Sequence, residues 1–103
     1  RRHAEAIQSF EKSLLINPGN KDAFNNAGIC YMSLRNYSQA VKCYERAMAL
    51  DPNFFYASFN LGRAYFNAGN REMSYKYLSL AKRLAGESSG AQAMVDQYLR
   101  HLR

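Results

Sequence analysis

Small and apolar residues recur over residues 2–16 at three- and four-residue intervals, as Ala6, Ile7, Phe10, Ser13 and Leu14, with Glu5, Gln8, Glu11 and Lys12 between them. That period predicts an amphipathic helix. Asn17-Pro18-Gly19-Asn20 ends it, because proline pushes the residue before it out of helical conformation and glycine supplies turn geometry. A second helix is predicted over 21–34 with two distinct stripes. Ala23, Phe24, Ala27, Gly28, Tyr31 and Leu34 form the stripe read as buried, and Asp22, Asn25, Asn26, Ile29, Met32 and Ser33 form the open one. After a tight turn at Arg35-Asn36-Tyr37, a helix over 38–50 starts from Ser38 as N-cap and packs through Ala40, Val41, Tyr44, Ala47 and Met48. Asp51-Pro52-Asn53 stops it. The cycle then repeats, with helices over 56–68 and 72–84 about a turn at Gly69-Asn70. Gly86-Glu87-Ser88-Ser89-Gly90 reads as a small flexible linker, and 91–102 as a last helix carrying Val95, Leu99 and Leu102 on its apolar side.

The pattern is periodic. A 34-residue shift aligns Ala23/Ala57, Asn26/Asn60, Gly28/Gly62, Tyr31/Tyr65, Asn36/Asn70, Lys42/Lys76, Ala47/Ala81 and Leu50/Leu84. Ordinary composition would produce roughly two such identities. The same shift backwards pairs Arg1/Arg35, Ala6/Ala40, Phe10/Tyr44, Glu11/Glu45, Ile16/Leu50 and Pro18/Pro52. Residues 1–20 are therefore the second helix of a partial repeat, 21–54 a complete repeat, 55–88 a complete but degenerate one, and 89–103 a capping helix, all in a single domain spanning 1–103. In both complete repeats the glycine, Gly28 or Gly62, is expected to let a helix of the neighbouring repeat approach closely.

Phe24-x2-Ala27-Gly28-x2-Tyr31, then Ala40-x3-Tyr44, then Pro52 resembles the tetratricopeptide repeat (TPR) pattern W-x2-L-G-x2-Y, A-x3-F, P. The next repeat reads Ser58-x2-Leu61-Gly62-x2-Tyr65, then Ser74-x3-Leu78, with Gly86 in place of the proline. The resemblance implies an all-α fold, a right-handed superhelical stack of antiparallel helix pairs closed by a C-terminal capping helix. It also implies a groove lined by the first helix of each pair, in which family members hold a peptide or partner helix. The groove stripe comprises Asp22, Asn25, Asn26, Ile29, Met32 and Ser33 from one repeat and Tyr56, Phe59, Asn60, Arg63, Phe66 and Asn67 from the next. Asn26 and Asn60 occupy equivalent positions, and an amide can pair with both the C=O and N–H of a peptide backbone. In several TPR proteins an asparagine at this place grips the ligand backbone, so replacing both with alanine is expected to spare stability and weaken binding. Tyr56, Phe59 and Phe66 would supply apolar pockets, and Arg63 a preference for an acidic group. Some TPR domains clamp acidic chaperone tails with Lys, Asn and Arg. Here Asn25 and Ile29 stand where that clamp has its first Lys and Asn, and Tyr56 where it has a later Lys, so that specificity is not carried over.

Charge and chemistry narrow this reading. A net charge of +6 favours an acidic partner, while the bland alternative is a solvated face that keeps the chain soluble. Tyrosines and phenylalanines beside basic residues also permit a nucleic-acid-binding helical repeat, since single-strand binders interleave the two. Yet Lys12, Lys42, Arg46, Lys76, Lys82 and Arg83 fall on the second helices, Arg1, Arg35 and Arg71 at the turns, and only Arg63 on the aromatic stripe. Nucleic acid is the weaker reading. His3 and His101 are far apart with no second ligand at metal spacing, and Cys30 and Cys43 lack a CxxC or a nearby His, so surface histidines and free thiols of a reducing compartment are expected. No phosphate loop, nucleophile motif or convergent carboxylate pair is present, so neither an enzyme nor a metal or cofactor site is expected. There is no membrane span and no signal peptide, and a cytoplasmic location is the expectation. The reading is thus a protein-interaction scaffold. Its alternatives are a nucleic-acid binder and a structural or oligomerising segment, the latter because Ile7, Phe10 or Leu14 would be left partly uncovered for upstream chain or a second copy to bury.

Overall fold

The computed structural model describes residues 2–102. Arg1, Arg103 and the side chain of His3, singled out above, lie outside the described residues. Six α-helices follow one another: α1 (Arg2–Ile16), α2 (Lys21–Ser33), α3 (Tyr37–Leu50), α4 (Phe55–Asn67), α5 (Arg71–Ala85) and α6 (Ser89–Leu99), the last running into a 3-10 turn over Arg100–Leu102. The described residues contain no strand. The molecule is an elongated stack of 39 × 25 × 21 Å in which each helix packs on the next. The closest associations are α2 with α3 and α4 with α5, two pairs whose short turns make them antiparallel.

The turns inside both pairs are built alike. At the end of the first helix the chain enters the left-handed region, at Arg35 (φ 59°) in one pair and Gly69 (φ 84°) in the other. The next backbone N–H then folds back onto the helix, Asn36 to the Tyr31 carbonyl and Asn70 to the Tyr65 carbonyl, each at 2.9 Å. The same asparagines start the second helices. Asn36 Oδ1 accepts from the Gln39 N–H at 3.3 Å and Asn70 Oδ1 from the Met73 N–H at 3.2 Å. Asn36, not Ser38, is therefore the cap of α3, which starts at Tyr37. Asparagine suits both tasks, since its short side chain satisfies the orphan N–H groups of a first turn.

Other boundaries shift for similar reasons. Leu34 terminates α2 instead of continuing its buried stripe, and it is 45% exposed. Helix α4 begins at Phe55 and α5 at Arg71, each a residue earlier than their periodicity suggests. The expected linker is mostly helix: Ser88 Oγ accepts from the Ala91 N–H, and Ser89 and Gly90 already belong to α6.

The core explains the glycines. A Cβ on Gly28 would lie 2.4 Å from Tyr44 Cε1, and one on Gly62 would lie 2.6 Å from Leu78 Cγ. Tyr44 and Leu78 are equivalent residues of α3 and α5, so the close crossing lies inside each pair. The expectation that these glycines admit a helix of a neighbouring repeat is corrected accordingly. Tyr44 is almost wholly buried, and that burial pushes its hydroxyl pKa well above the ordinary tyrosine value. Around it Ala40, Leu61 and Ala64 form one core cluster, while Phe59, Leu78, Ala81, Val95 and Leu99 form a second beneath α6.

The degenerate positions of the second pair are also accounted for. Ser58 Oγ donates to the Tyr77 carbonyl at 3.0 Å, and Ser74 Oγ to the Gly62 carbonyl at 2.9 Å. Both serines are fully buried. Each hydroxyl converts a lost apolar contact into a bond that ties α4 to α5, and a satisfied buried hydroxyl carries no desolvation penalty of the unpaired kind. Asp96, which replaces the glycine in α6, forms a 2.7 Å ion pair with Lys82 of α5. At the other end of the stack Leu15 and Ile16 are 86% and 87% exposed, while Ile7, Phe10 and Leu14 are half-buried.

Candidate functional site

Helices α2, α4 and α6 are the leading members of successive pairs, and one row of side chains crosses all three. Asn60 Nδ2 of α4 donates to Asn25 Oδ1 of α2 at 3.1 Å. Arg63 Nη1 donates to Asn60 Oδ1 at 3.4 Å, and Arg63 Nε to Tyr98 Oη of α6 at 3.1 Å. Both interhelical links join residues 35 apart, one repeat plus one position. The row orients its own amides: Asn60 spends its oxygen on a guanidinium, which can only donate, so its nitrogen must face the oxygen of Asn25.

Aromatic rings hold this row in place. The Arg63 guanidinium carbon lies 5.7 Å from the centre of the Phe59 ring and 5.8 Å from that of Tyr98. Phe59 stacks on Phe55 at 5.9 Å and meets Tyr98 edge-on at 5.7 Å. Phe66 meets Tyr98 edge-on at 5.5 Å and His101 at 6.3 Å. Between them Phe66, Gln97, Tyr98 and His101 line a cleft of about 310 Å³. Such offset and edge-to-face contacts stabilise the wall beyond plain burial.

The row spends few of its donors. Arg63 uses two of its five N–H groups on Tyr98 and Asn60, and among the described residues no hydrogen bond engages its Nη2. Nor does any engage the Asn25 amide nitrogen, which serves only through its oxygen. Among the described residues no buried side-chain nitrogen or oxygen lacks a partner, so these free donors are reachable by solvent. The face is therefore rich in donors and suited to acceptors: backbone carbonyls and carboxylates.

The structure distributes the expected groove residues unevenly. Asp22, Asn26, Ser33, Tyr56 and Asn67 are exposed, as is Ile29 at 43%. The Ser33 hydroxyl bonds back to the Ile29 carbonyl of its own helix. Met32 is half-buried against the first core cluster, and Arg63 and Phe66 are half-buried in the aromatic group just described. Three expectations change. Asn25 and Asn60 are buried and bonded to each other, so Asn60 is a bridge between helices and its replacement by alanine cannot be neutral. Asn26, its counterpart by sequence, is exposed and makes no such bond. Phe59, expected to line a pocket, is 5% exposed and belongs to the core beneath α6.

What the sequence reasoning missed is the share of α6. Shifting Arg63 and Asn67 by 34 residues lands on Gln97 and His101, which line the cleft, so periodicity held that signal. Tyr98 aligns with Ala64, a buried small position, and nothing in its spacing points to the face it reaches. Both cysteines are free, and burial raises the pKa of each, which lowers the thiolate fraction and with it nucleophilicity.

A linear stack of antiparallel helix pairs, each packed on the next, defines a helical-repeat protein. A family model described as Tetratricopeptide repeat matches residues 22–54, and a second model of the same description matches residues 43–93. The chain belongs to the tetratricopeptide repeat family. Among solved structures it is similar to the type III secretion translocator chaperone SycD of Yersinia enterocolitica (TM-score 0.93, 16% identity, covering 98% of this chain and 72% of that one). It is likewise similar to PcrH in complex with the chaperone binding region of PopD (0.85, 20%, covering 98% and 76%). A third similar structure is the first TPR of Spaghetti (RPAP3) bound to the HSP90 peptide SRMEEVD (0.82, 22%, covering 96% and 81%). At these identities the likeness is one of fold. A search of curated proteins finds no match to the sequence.

Proposed function

We propose that this chain is a protein-interaction module that holds an extended peptide or partner segment against the face of α2, α4 and α6. The carrying observation is the row Asn25–Asn60–Arg63–Tyr98, which crosses all three helices and keeps free donors toward solvent. An extended backbone presents carbonyls at regular intervals, and such a row can accept it whatever its side chains. Exposed Ile29 and Tyr56 flank the row with apolar surface. The reading is supported by two structures of the same fold that carry bound segments, PcrH with PopD and Spaghetti with its HSP90 peptide. The units are residues 21–54 and 55–88, with 1–20 a partial repeat and 89–103 a cap. The chemistry of the face is that of binding and not of turnover, and the free thiols suit the cytoplasm.

The test is selection of random 12-residue peptides displayed on phage against the purified chain, followed by fluorescence anisotropy with synthetic copies. Ile29→Ala/Tyr56→Ala is expected to weaken binding about tenfold, the scale of one or two truncated anchor residues. Binding that is indifferent to that double variant but lost in Lys42→Ala/Lys76→Ala would move the site to the opposite face and end this reading.

A further inference from the structure

We propose that the groove selects a peptide in which an acidic residue stands within two positions of an apolar one. Arg63 takes the carboxylate, and the cleft of Phe66, Gln97, Tyr98 and His101 takes the apolar side chain. This rests on the groove reading above.

Among the described residues Arg63 has no carboxylate partner. The ion pairs among the described residues are Lys21–Asp51 and Lys82–Asp96, both away from this face. Its guanidinium is nevertheless held on several sides, by Tyr98 Oη at Nε, by Asn60 Oδ1 at Nη1, and by the Phe59 and Tyr98 rings, whose centres lie 5.7 and 5.8 Å from its carbon. An arginine that pairs with a carboxylate must give up side-chain freedom to set its planar fork, and that ordering opposes binding. Here neutral groups have ordered it already, while Nη2 has no bond among the described residues and is reachable by solvent. A carboxylate is the acceptor that a guanidinium edge fits with two parallel bonds. The excess of basic over acidic residues across residues 55–103 adds a field of the same sign.

The cleft supplies the second half. Its volume of about 310 Å³ and its aromatic walls suit one aliphatic or aromatic side chain. Tyr98 belongs to both halves, since its hydroxyl fixes Arg63 while its ring walls the cleft. The two recognised groups must therefore be close in the ligand. Residues of an extended strand rise about 3.3 Å each, so a separation of one or two positions spans one tyrosine side chain.

The peptides selected on phage are the probe. Expected is enrichment of sequences carrying Asp or Glu within two positions of Leu, Ile, Met or Phe. In synthetic copies, changing the acid to its amide should weaken binding to the parent chain about tenfold, as for a lost charge-assisted pair. The same change should alter binding to Arg63→Gln by less than about twofold. Tyr98→Phe keeps the cleft wall but frees Arg63 Nε, and it should reduce the acid's advantage while helix content and Tm hold. Enriched peptides without an acid, or acid discrimination that survives Arg63→Gln, overturn the proposal. If peptides are lost in Ile29→Ala/Tyr56→Ala yet ignore the acid, the groove stands and this specificity falls. Loss only in Lys42→Ala/Lys76→Ala, or enrichment of no peptide at all, counts against both.

Discussion

Helix α2 buries Ala23, Asn25, Ala27 and Gly28, whereas α4 buries every residue from Ala57 to Gly62 and Ala64 as well. The two helices hold the same place in consecutive pairs, and α2 is the one nearer the family pattern. The difference comes from their neighbours. Helix α4 has a leading helix on either side, α2 through the Asn25–Asn60 bond and α6 through Tyr98. Helix α2 has α4 on one side and α1 on the other. Stability in a repeat array is a sum of intrinsic and interface contributions, and an inner repeat has more interfaces. Interior position thus lets α4 and α5 depart from the pattern, with Ser58 and Ser74 fully buried yet satisfied by backbone carbonyls across the pair.

The largest predicted effect probes what the pairs share. Gly28→Leu and Gly62→Leu should each lower stability by about 1–3 kcal/mol in thermal or chemical denaturation, the usual scale of core overpacking. Gly62→Leu should be the worse, because both the buried Leu78 side chain and the Leu78 backbone nitrogen, 3.2 Å away, block the added carbon. Equal melts for both variants and the parent would break the account of the crossings.

The asparagines separate the pairs most cleanly. Asn60→Ala should cost about 1–3 kcal/mol, because it strips a buried bond from Asn25 and an acceptor from Arg63. Asn26→Ala should stay within about 0.5 kcal/mol, as an exposed substitution does. Urea midpoints of the two variants check this directly, and equal losses would show that the inner and outer helices are not distinguished as described.

Alkali should act chiefly through Tyr44 of the first pair, with a lesser share from Tyr65 of the second, whose hydroxyl pKa is also raised by burial. Unfolded tyrosine ionises near pH 10.0, but burial holds the Tyr44 hydroxyl protonated in the folded state to higher pH. Above pH 10 the unfolded chain then binds fewer protons than the folded one, so stability falls as pH rises, by about 1.4 kcal/mol per unit for one such group. Leu78 holds the equivalent place in α5 and has nothing to titrate. Melting temperatures from pH 9 to 11 should fall steeply for the parent and less steeply for Tyr44→Phe.

The smallest effect concerns the turns. Arg35 adopts φ 59° where Gly69 adopts φ 84°, and a left-handed conformation strains any side chain with a Cβ. Arg35→Gly should therefore raise Tm, with a gain of about 0.5–1 kcal/mol. A loss would mean that the Arg35 side chain contributes something the turn geometry does not show.

Number, order and pairing of the helices were legible in the chain because they depend on local spacing. Apolar residues three and four apart declare a helix face, and a 34-residue recurrence of Gly, Tyr and Asn declares stacked pairs in register. The glycines recurred in the same way, but which helix each admits did not show in the spacing: Gly28 meets Tyr44 and Gly62 meets Leu78 inside a pair, not across repeats. The proposed site was legible only as a stripe. Whether an asparagine on that stripe is a free amide or a bridge depends on its neighbours: Asn60 donates to Asn25, 35 residues earlier, and accepts from Arg63, whereas Asn26 is exposed and has Ile29 in the place of Arg63. Likewise Tyr98 sits by period over a small buried position, yet its length carries its hydroxyl to Arg63. Periodicity reports which side of a helix is apolar, whereas a side-chain bond between helices depends on crossing angle, axial offset and rotamer. Those quantities exist only once the helices are packed.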